Sequence, residues 1–169
     1  HSTRKKSLKA CENELRILAH QARELSCGHG VNLNESLLNA ARCGYHSVVY
    51  GLVRRPGVNV NHQECHGGAT ALIEACSIPH YGMVADLLAN GARPNLSDAR
   101  GNTPLMVASG TDNAEDVVRL LVRNGARLTD RNCGGVCALD MAKWSGQLKT
   151  AKFLRGYASA DCAELSCSR

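Results

Sequence analysis

The chain has 169 residues and a formal net charge of +5, and the cluster Arg4, Lys5, Lys6 and Lys9 supplies a large share of that excess. A positive charge this small and this local does not imply a broad basic face. No apolar run approaches the length that spans a membrane. Aromatic residues make up only 4% of the chain, so leucine, alanine and valine must build the core. The polar start of the chain lacks the apolar centre of a signal peptide.

The first predicted element is a helix within residues 5–26. Its apolar residues recur at spacings of three and four, which places them on one helical stripe: Leu8, Cys11, Leu15, Leu18, Ala22 and Leu25. Glycines at positions 28 and 30 then end the helix. We predict that residues 1–30 form a basic N-terminal segment with a capping helix. The alternative is a seam for a partner helix, although three heptads are short for a coiled coil.

From Gly68 to Tyr157 the chain repeats itself. Residues 70–76 (Thr-Ala-Leu-Ile-Glu-Ala-Cys) recur as residues 103–109 (Thr-Pro-Leu-Met-Val-Ala-Ser) after 33 positions, and residues 137–143 follow after 34 more. A fixed period of this size indicates stacked supersecondary units rather than one globular core. Such arrays usually bind other macromolecules along the surface that neighbouring repeats form.

These blocks resemble the ankyrin repeat. Asp98–Leu105 (Asp-Ala-Arg-Gly-Asn-Thr-Pro-Leu) is similar to its opening, Asn90–Asn95 and Asn124–Arg127 are similar to its close, and Leu37–Gly44 looks like a degenerate first copy. The resemblance, over about residues 34–157, implies an all-α ankyrin-repeat solenoid of about four helix-turn-helix repeats with an extra N-terminal helix. The implied repeats, in a domain over 31–157, are 34–66, 67–99, 100–133 and 134–157. A flexible C-terminal tail is expected over residues 158–169.

Each repeat is predicted to contain a turn, an inner helix, a short connection and a longer outer helix. Inner helices are expected near 36–43, 71–78, 104–111 and 138–145, and outer helices near 46–55, 81–90, 114–124 and 147–157. Thr70 and Thr103 can cap their helices through the hydroxyl group, whereas Cys137 should be a weaker cap. The predicted buried core is aliphatic: Leu72, Ala75, Val84, Leu87, Leu105, Ala108, Val118, Leu121, Leu139, Ala142 and Leu154.

The sequence departs from the family pattern at three places. Ile73, Met106 and Asp140 replace the usual histidine, which puts the family's hydrogen bonds between repeats from that histidine in doubt. One extra residue within 111–114 predicts a longer turn between two helices. Another extra residue within 65–68 predicts a bulged or mobile first tip.

No catalytic motif stands out, since the chain has neither a phosphate loop nor a nucleophile elbow; we expect no enzyme. Zinc is an alternative for His62, Cys65 and His66, which share one tip, and for Cys133 with Cys137. Cys133 lies about two repeats from Cys65, however, which favours ordinary thiols with no metal and no cofactor. Nine scattered cysteines indicate a reducing compartment, hence a cytoplasmic and/or nuclear protein.

The resemblance implies that inner helices and turn tips line a concave binding face. Positions there without a packing role are Glu74, Ala99, Arg100, Asn102, Arg131, Asn132, Lys143 and Trp144. Arg100 and Arg131, in successive tips, suit carboxylates or phosphates of an extended acidic or phosphorylated peptide, unless they merely aid solubility. Trp144 would add apolar contact, or instead fill the gap at the last repeat.

The sequence therefore predicts a non-catalytic adaptor or scaffold, monomeric, that binds another protein on the concave face. The alternative is a self-association or assembly module that acts through the N-terminal helix. A nucleic-acid-associated factor is weaker, because the basic clusters lie at opposite ends of the array and no aromatic residues interleave with them.

Overall fold

The computed structural model describes residues 32–164, with side chains described as far as residue 157. This part of the chain contains eight helices and no strand: α1 Leu33–Arg42, α2 His46–Leu52, α3 Ala71–Ser77, α4 Tyr81–Ala89, α5 Pro104–Gly110, α6 Glu115–Arg123, α7 Ala138–Trp144 and α8 Leu148–Glu164. The helix predicted within residues 5–26 lies outside the described residues. Helix α8 runs past residue 157, where the sequence predicted its end.

The eight helices form four consecutive pairs stacked in two layers. The odd-numbered helices pack side by side in one layer and the even-numbered helices in the other. Contacts between neighbouring helices are more extensive in the odd-numbered layer than in the even-numbered layer. The odd-numbered helices are the inner helices of the sequence prediction, and their side of the array, with the adjoining tips, is called the concave face below. This arrangement confirms the predicted all-α repeat fold.

The helices begin and end where short-range chemistry stabilises their termini. The hydroxyl oxygens of Thr70 and Thr103 accept the backbone N–H three residues further on, at 3.2 and 3.4 Å, and Pro104 occupies the first turn of α5. Gly91 and Gly125 follow α4 and α6 with φ of +88° and +83°, a region that favours glycine. The predicted caps and stops are therefore confirmed.

Helix α7 begins with a different cap. The Asp140 carboxylate accepts the backbone N–H of Cys137 at 3.3 Å and the Cys137 thiol at 3.1 Å. The hydrogen bond from the thiol is the largest of the causes that lower the pKa of Asp140 from its ordinary value, and the bond from the backbone N–H lowers it as well. The positive charges of Lys143 and Arg131 lower this pKa further. A carboxylate three residues into the helix thus compensates for the cysteine at the cap position.

The core is aliphatic, as the sequence predicted, with one correction. Ten of the eleven predicted core residues are at most 1% exposed, but Leu139 is only partly buried at the edge of the core. Leu105, which occupies the same position one pair earlier, is 0% exposed because the next helix pair covers it. No further pair within the described residues covers Leu139, and the prediction that it is buried is wrong for that reason.

The family's histidine is absent from this chain, but two asparagines at other positions supply hydrogen bonds between repeats. Asn61 and Asn95 each donate to the backbone carbonyl 30 positions further on and accept the backbone N–H 32 positions further on. All four distances lie between 2.8 and 2.9 Å. Each asparagine therefore ties the segment that follows one outer helix to the segment that follows the next.

Both insertions predicted from the sequence lengthen turns. The first tip closes with a hydrogen bond from the N–H of Glu64 to the carbonyl of Ala69, whereas the next tip closes one residue sooner, from Asp98 to Asn102. Four residues connect α5 to α6, and three connect α3 to α4. The longer connection accommodates its extra residue with Asn113 at φ +57°.

Candidate functional site

The tips that border the concave face share one internal frame. In one tip, Asp98 Oδ1 accepts the N–H groups of the residues two and four positions further on, at 2.9 and 2.7 Å. Asn132 Oδ1 does the same in the following tip, at 3.0 Å for both bonds. Asn102 then accepts a hydrogen bond from Asn132 at 2.9 Å. Asn102 and Asn132, predicted to contact a partner, thus hold adjacent tips together.

Arg100 and Arg131 do not occupy equivalent positions. Because Asn132 takes the place of Asp98, the residue equivalent to Arg100 is Gly134. Arg131 lies before its turn, where Nη1 donates to the carbonyl of Gly135 at 2.6 Å. Arg100 is exposed, and its guanidinium forms no hydrogen bond or ion pair with the described residues. The two guanidinium groups are therefore not in register, and only that of Arg100 is unengaged.

Glu74 is engaged in a network between the first two helix pairs. Its carboxylate accepts Nη2 of Arg42 at 2.9 Å, and the same nitrogen lies 3.0 Å from Glu64 Oε2. The hydrogen bond with Glu74 is the main reason that the pKa of Arg42 is raised. Only 16% of the Glu74 side chain is exposed, so this residue presents little surface to a partner.

Trp144 is the most prominent apolar side chain on the last inner helix. It ends α7 and is 73% exposed, so it does not fill the gap at the last repeat. Lys143 precedes it, about half exposed, with Nζ 3.8 Å from Asp140 Oδ1. Leu148, at the start of α8, is 79% exposed beside the same turn. Sequence reasoning missed Leu148, because an apolar residue in an outer helix usually faces the core.

Charge is unevenly distributed along the array. Residues 127–157 contain six lysines and arginines against two aspartates, while residues 32–126 contain seven arginines against eight acidic residues. Helix α8 continues to Glu164 and adds Asp161 and Glu164, so the last helix pair and the tip before it have a mild excess of positive charge, and the preceding three pairs are nearly neutral.

Two of the five candidate metal ligands, His62 and Cys137, bond to other side chains. His62 Nε2 lies 3.0 Å from Glu35 Oε1, and the five cysteines with described side chains are free thiols. Burial raises the pKa of the Cys76 thiol. Between residues 32 and 157, no group of three or more histidine, cysteine and acidic side chains is arranged to hold a metal ion. None of the described helices is both long and apolar enough to cross a membrane.

Comparisons with known proteins agree on one family. A model of ankyrin repeats (3 copies) matches residues 37–132 and 78–164. BCL-6 corepressor-like protein 1 of Homo sapiens is 38% identical over 112 residues, or 66% of this chain and 6% of that protein. The ankyrin repeat protein YahD of Escherichia coli (strain K12) is 35% identical over 120 residues, or 66% of this chain and 57% of that protein.

Protein fem-1 homolog C of Xenopus laevis is similar over a shorter region. It is 38% identical over 66 residues, which are 39% of this chain and 10% of that protein. The chain thus spans less than two thirds of the length of each of these relatives. The similarity accordingly concerns the repeats, and the activities of the whole relatives do not follow from it.

Proposed function

Because the chain belongs to the ankyrin-repeat family, whose repeats are generally protein–protein interaction modules, we propose that it is a non-catalytic adaptor whose concave face binds a segment of another protein. One observation carries this proposal: Arg100 and Trp144 are both exposed on the tips and inner helices and are not engaged within the described residues. Arginine and tryptophan are the residue types that most often dominate binding energy.

The chemistry of this face favours an extended acidic or phosphorylated segment. The unengaged guanidinium of Arg100 can bind a carboxylate or phosphate through two parallel hydrogen bonds. Lys143 adds a second positive charge beside Trp144, and Arg131 adds a third at the edge of the face. Trp144 supplies apolar area next to these charges. A preformed array of this kind binds with little change of backbone shape.

An affinity capture with charge-matched variants tests this proposal. Wild-type chain, Arg100→Glu and Arg123→Glu are each used to capture proteins from lysate, and the proteins retained are quantified by mass spectrometry. Arg123 is exposed at the end of the outer helix α6, so its reversal matches the change in net charge away from the concave face. We expect partners that wild type and Arg123→Glu retain and that Arg100→Glu loses. Equal retention by all three would refute the concave-face assignment.

We also propose that the chain acts as a monomer. Sedimentation equilibrium at micromolar concentration should return a mass near 18.1 kDa. A dimer that is lost on deletion of residues 1–27 would favour self-association through the N-terminal segment instead.

A further inference from the structure

A row of arginines follows the outer helices of the first three helix pairs. The segments after α2, α4 and α6 are residues 53–61, 90–95 and 124–129, and together they are called the outer edge here. They contain no acidic residue and four arginines, all of them exposed: Arg54, Arg55, Arg93 and Arg127. The outer edge is distinct from the concave face, because it follows the even-numbered helices.

Two of these arginines occupy the same position in successive repeats. The backbone N–H of Arg93 donates to Asn61 Oδ1 at 2.8 Å, and the backbone N–H of Arg127 donates to Asn95 Oδ1 at 2.9 Å. Because equivalent hydrogen bonds hold both backbones, the two side chains start from equivalent points one repeat apart. This pair therefore has the register that Arg100 and Arg131 lack.

Both guanidinium groups keep donors for a ligand. That of Arg93 forms no hydrogen bond or ion pair with the described residues. Arg127 contacts Asp130 through Nε at 3.3 Å with its side chain 65% exposed, which leaves its two Nη groups available. Each arginine lies four positions beyond the last residue of its helix, where attraction to the helix C-terminus has fallen off. Helix stabilisation therefore does not account for them.

We propose that the outer edge binds an acidic segment of a partner protein in the polyproline II conformation, with carboxylates three residues apart paired to Arg93 and Arg127. Packed helices lie roughly 8–10 Å apart, which sets the distance between equivalent points of successive repeats. A polyproline II helix has three residues per turn and rises about 3.1 Å per residue, so side chains three apart share one face about 9 Å apart. A β-strand places such side chains on opposite faces. This second surface goes beyond the concave-face function proposed above.

Electrostatics favour an anionic occupant. Two carboxylates contact the row, Asp86 at 3.9 Å from Arg54 and Asp130 at 3.3 Å from Arg127. The other two arginines have no acidic side chain within ion-pair distance among the described residues, so the outer edge keeps a positive excess. Arginine rather than lysine at all four positions suits carboxylates, since a guanidinium can engage one carboxylate through two parallel hydrogen bonds.

The composition of the outer edge disfavours two other anionic partners. Its three segments contain no aromatic residue, so they offer no surface on which the bases of a single-stranded nucleic acid could stack. None of the large apolar side chains that are exposed among the described residues lies in these segments. They therefore lack the apolar groups that enter an anionic membrane surface.

Fluorescence anisotropy of labelled peptides titrated with the full chain tests the proposal. The first probe repeats Glu-Pro-Pro four times, which places a carboxylate at every third residue. The second has the same composition with glutamate at every second residue, and the third has lysine in place of each glutamate. We expect the first probe to bind about threefold to tenfold more tightly than the second, because only its spacing matches both arginines. The third probe should not bind.

Variants of the two arginines show whether the spacing is recognised. Arg93→Gln and Arg127→Gln should each remove the preference for the first probe over the second, because a single guanidinium of the pair cannot distinguish the two spacings. Arg155→Gln makes the same change of charge on exposed α8 surface and should keep the preference. Arg100→Glu should also keep it, which separates this proposal from the concave-face proposal. Circular dichroism confirms that each variant folds.

Three results would overturn the outer-edge proposal. The first is equal affinity of the wild-type chain for the first and second probes. The second is a preference between these probes that survives Arg93→Gln or Arg127→Gln. The third is tighter binding of oligothymidine or of phosphatidylserine vesicles than of the first probe, which would identify a nucleic acid or a membrane as the occupant.

Discussion

Leu105→Ala and Leu139→Ala remove the same atoms from equivalent positions one repeat apart. Leu105 is 0% exposed between two helix pairs, so its truncation leaves a closed cavity, and the expected loss is about 2–5 kcal/mol in the free energy of unfolding. Leu139 already lines an open cavity. A partly buried leucine gains only part of the roughly 1.5–3 kcal/mol that full burial contributes. We therefore expect Leu139→Ala to lower the free energy of unfolding by about 1–2 kcal/mol.

Urea denaturation followed by circular dichroism measures both losses. The two variants should share the wild-type slope of free energy against urea, and the midpoint should fall further for Leu105→Ala than for Leu139→Ala. Equal losses would refute the interpretation that Leu139 faces an uncovered end of the array. Near-neutral effects at both positions would refute the repeat register itself.

Three more predictions follow from individual contacts. Asn95→Ala should lower the free energy of unfolding by about 1–3 kcal/mol, because two hydrogen bonds between repeats are lost; urea denaturation measures it. The pKa of Asp140 is lowered in the folded chain, so its ionised carboxylate stabilises the fold at pH values above the ordinary pKa. This stabilisation is lost as the pH falls through the folded-state pKa. Acid unfolding of Asp140→Asn should therefore depend less on pH below about 4. Trp144, the only tryptophan, should be quenched readily by acrylamide in the folded chain.

Each of these predictions has a matched control. Asn124→Ala removes a side chain that bonds only within its own helix, so a loss as large as that of Asn95→Ala would contradict the role of the asparagine pair. Cys137→Ser keeps a hydrogen-bond donor to Asp140, so its acid unfolding should depend on pH as in wild type, whereas Cys137→Ala should show a weaker dependence. Equal acid-unfolding curves for the two variants would exclude the hydrogen bond from the thiol as the cause of the pH dependence. Emission of buried indole from the folded chain would contradict the exposed placement of Trp144.

The repeat fold could be predicted from the sequence because its signals are local and recur in phase. Threonine before an apolar helix, as at Thr70 and Thr103, encodes a cap within four residues, and glycine at positions 91 and 125 encodes a stop. Insertions are also visible against a fixed period, which is why the longer turn at Asn113 could be predicted. The cap at Cys137 was underestimated, since its compensation comes from Asp140 one turn further on.

The candidate site was less predictable because the role of a polar residue depends on neighbours in another repeat. The engagement of Glu74 by Arg42 joins residues 32 positions apart, and the bond between Asn102 and Asn132 spans 30 positions. Neither pairing leaves a signal in the local sequence. The register of the arginines likewise depends on which residue, Asp98 or Asn132, closes each tip.

We propose that the concave face binds an acidic segment of a partner through Arg100 and Trp144. Isothermal titration calorimetry of a captured, purified partner against wild type, Arg100→Glu and the convex control Arg123→Glu tests it most directly. We expect Arg100→Glu to weaken binding by about tenfold or more, while Arg123→Glu binds like wild type. Identical affinities for Arg100→Glu and wild type, with both chains folded by circular dichroism, would contradict it.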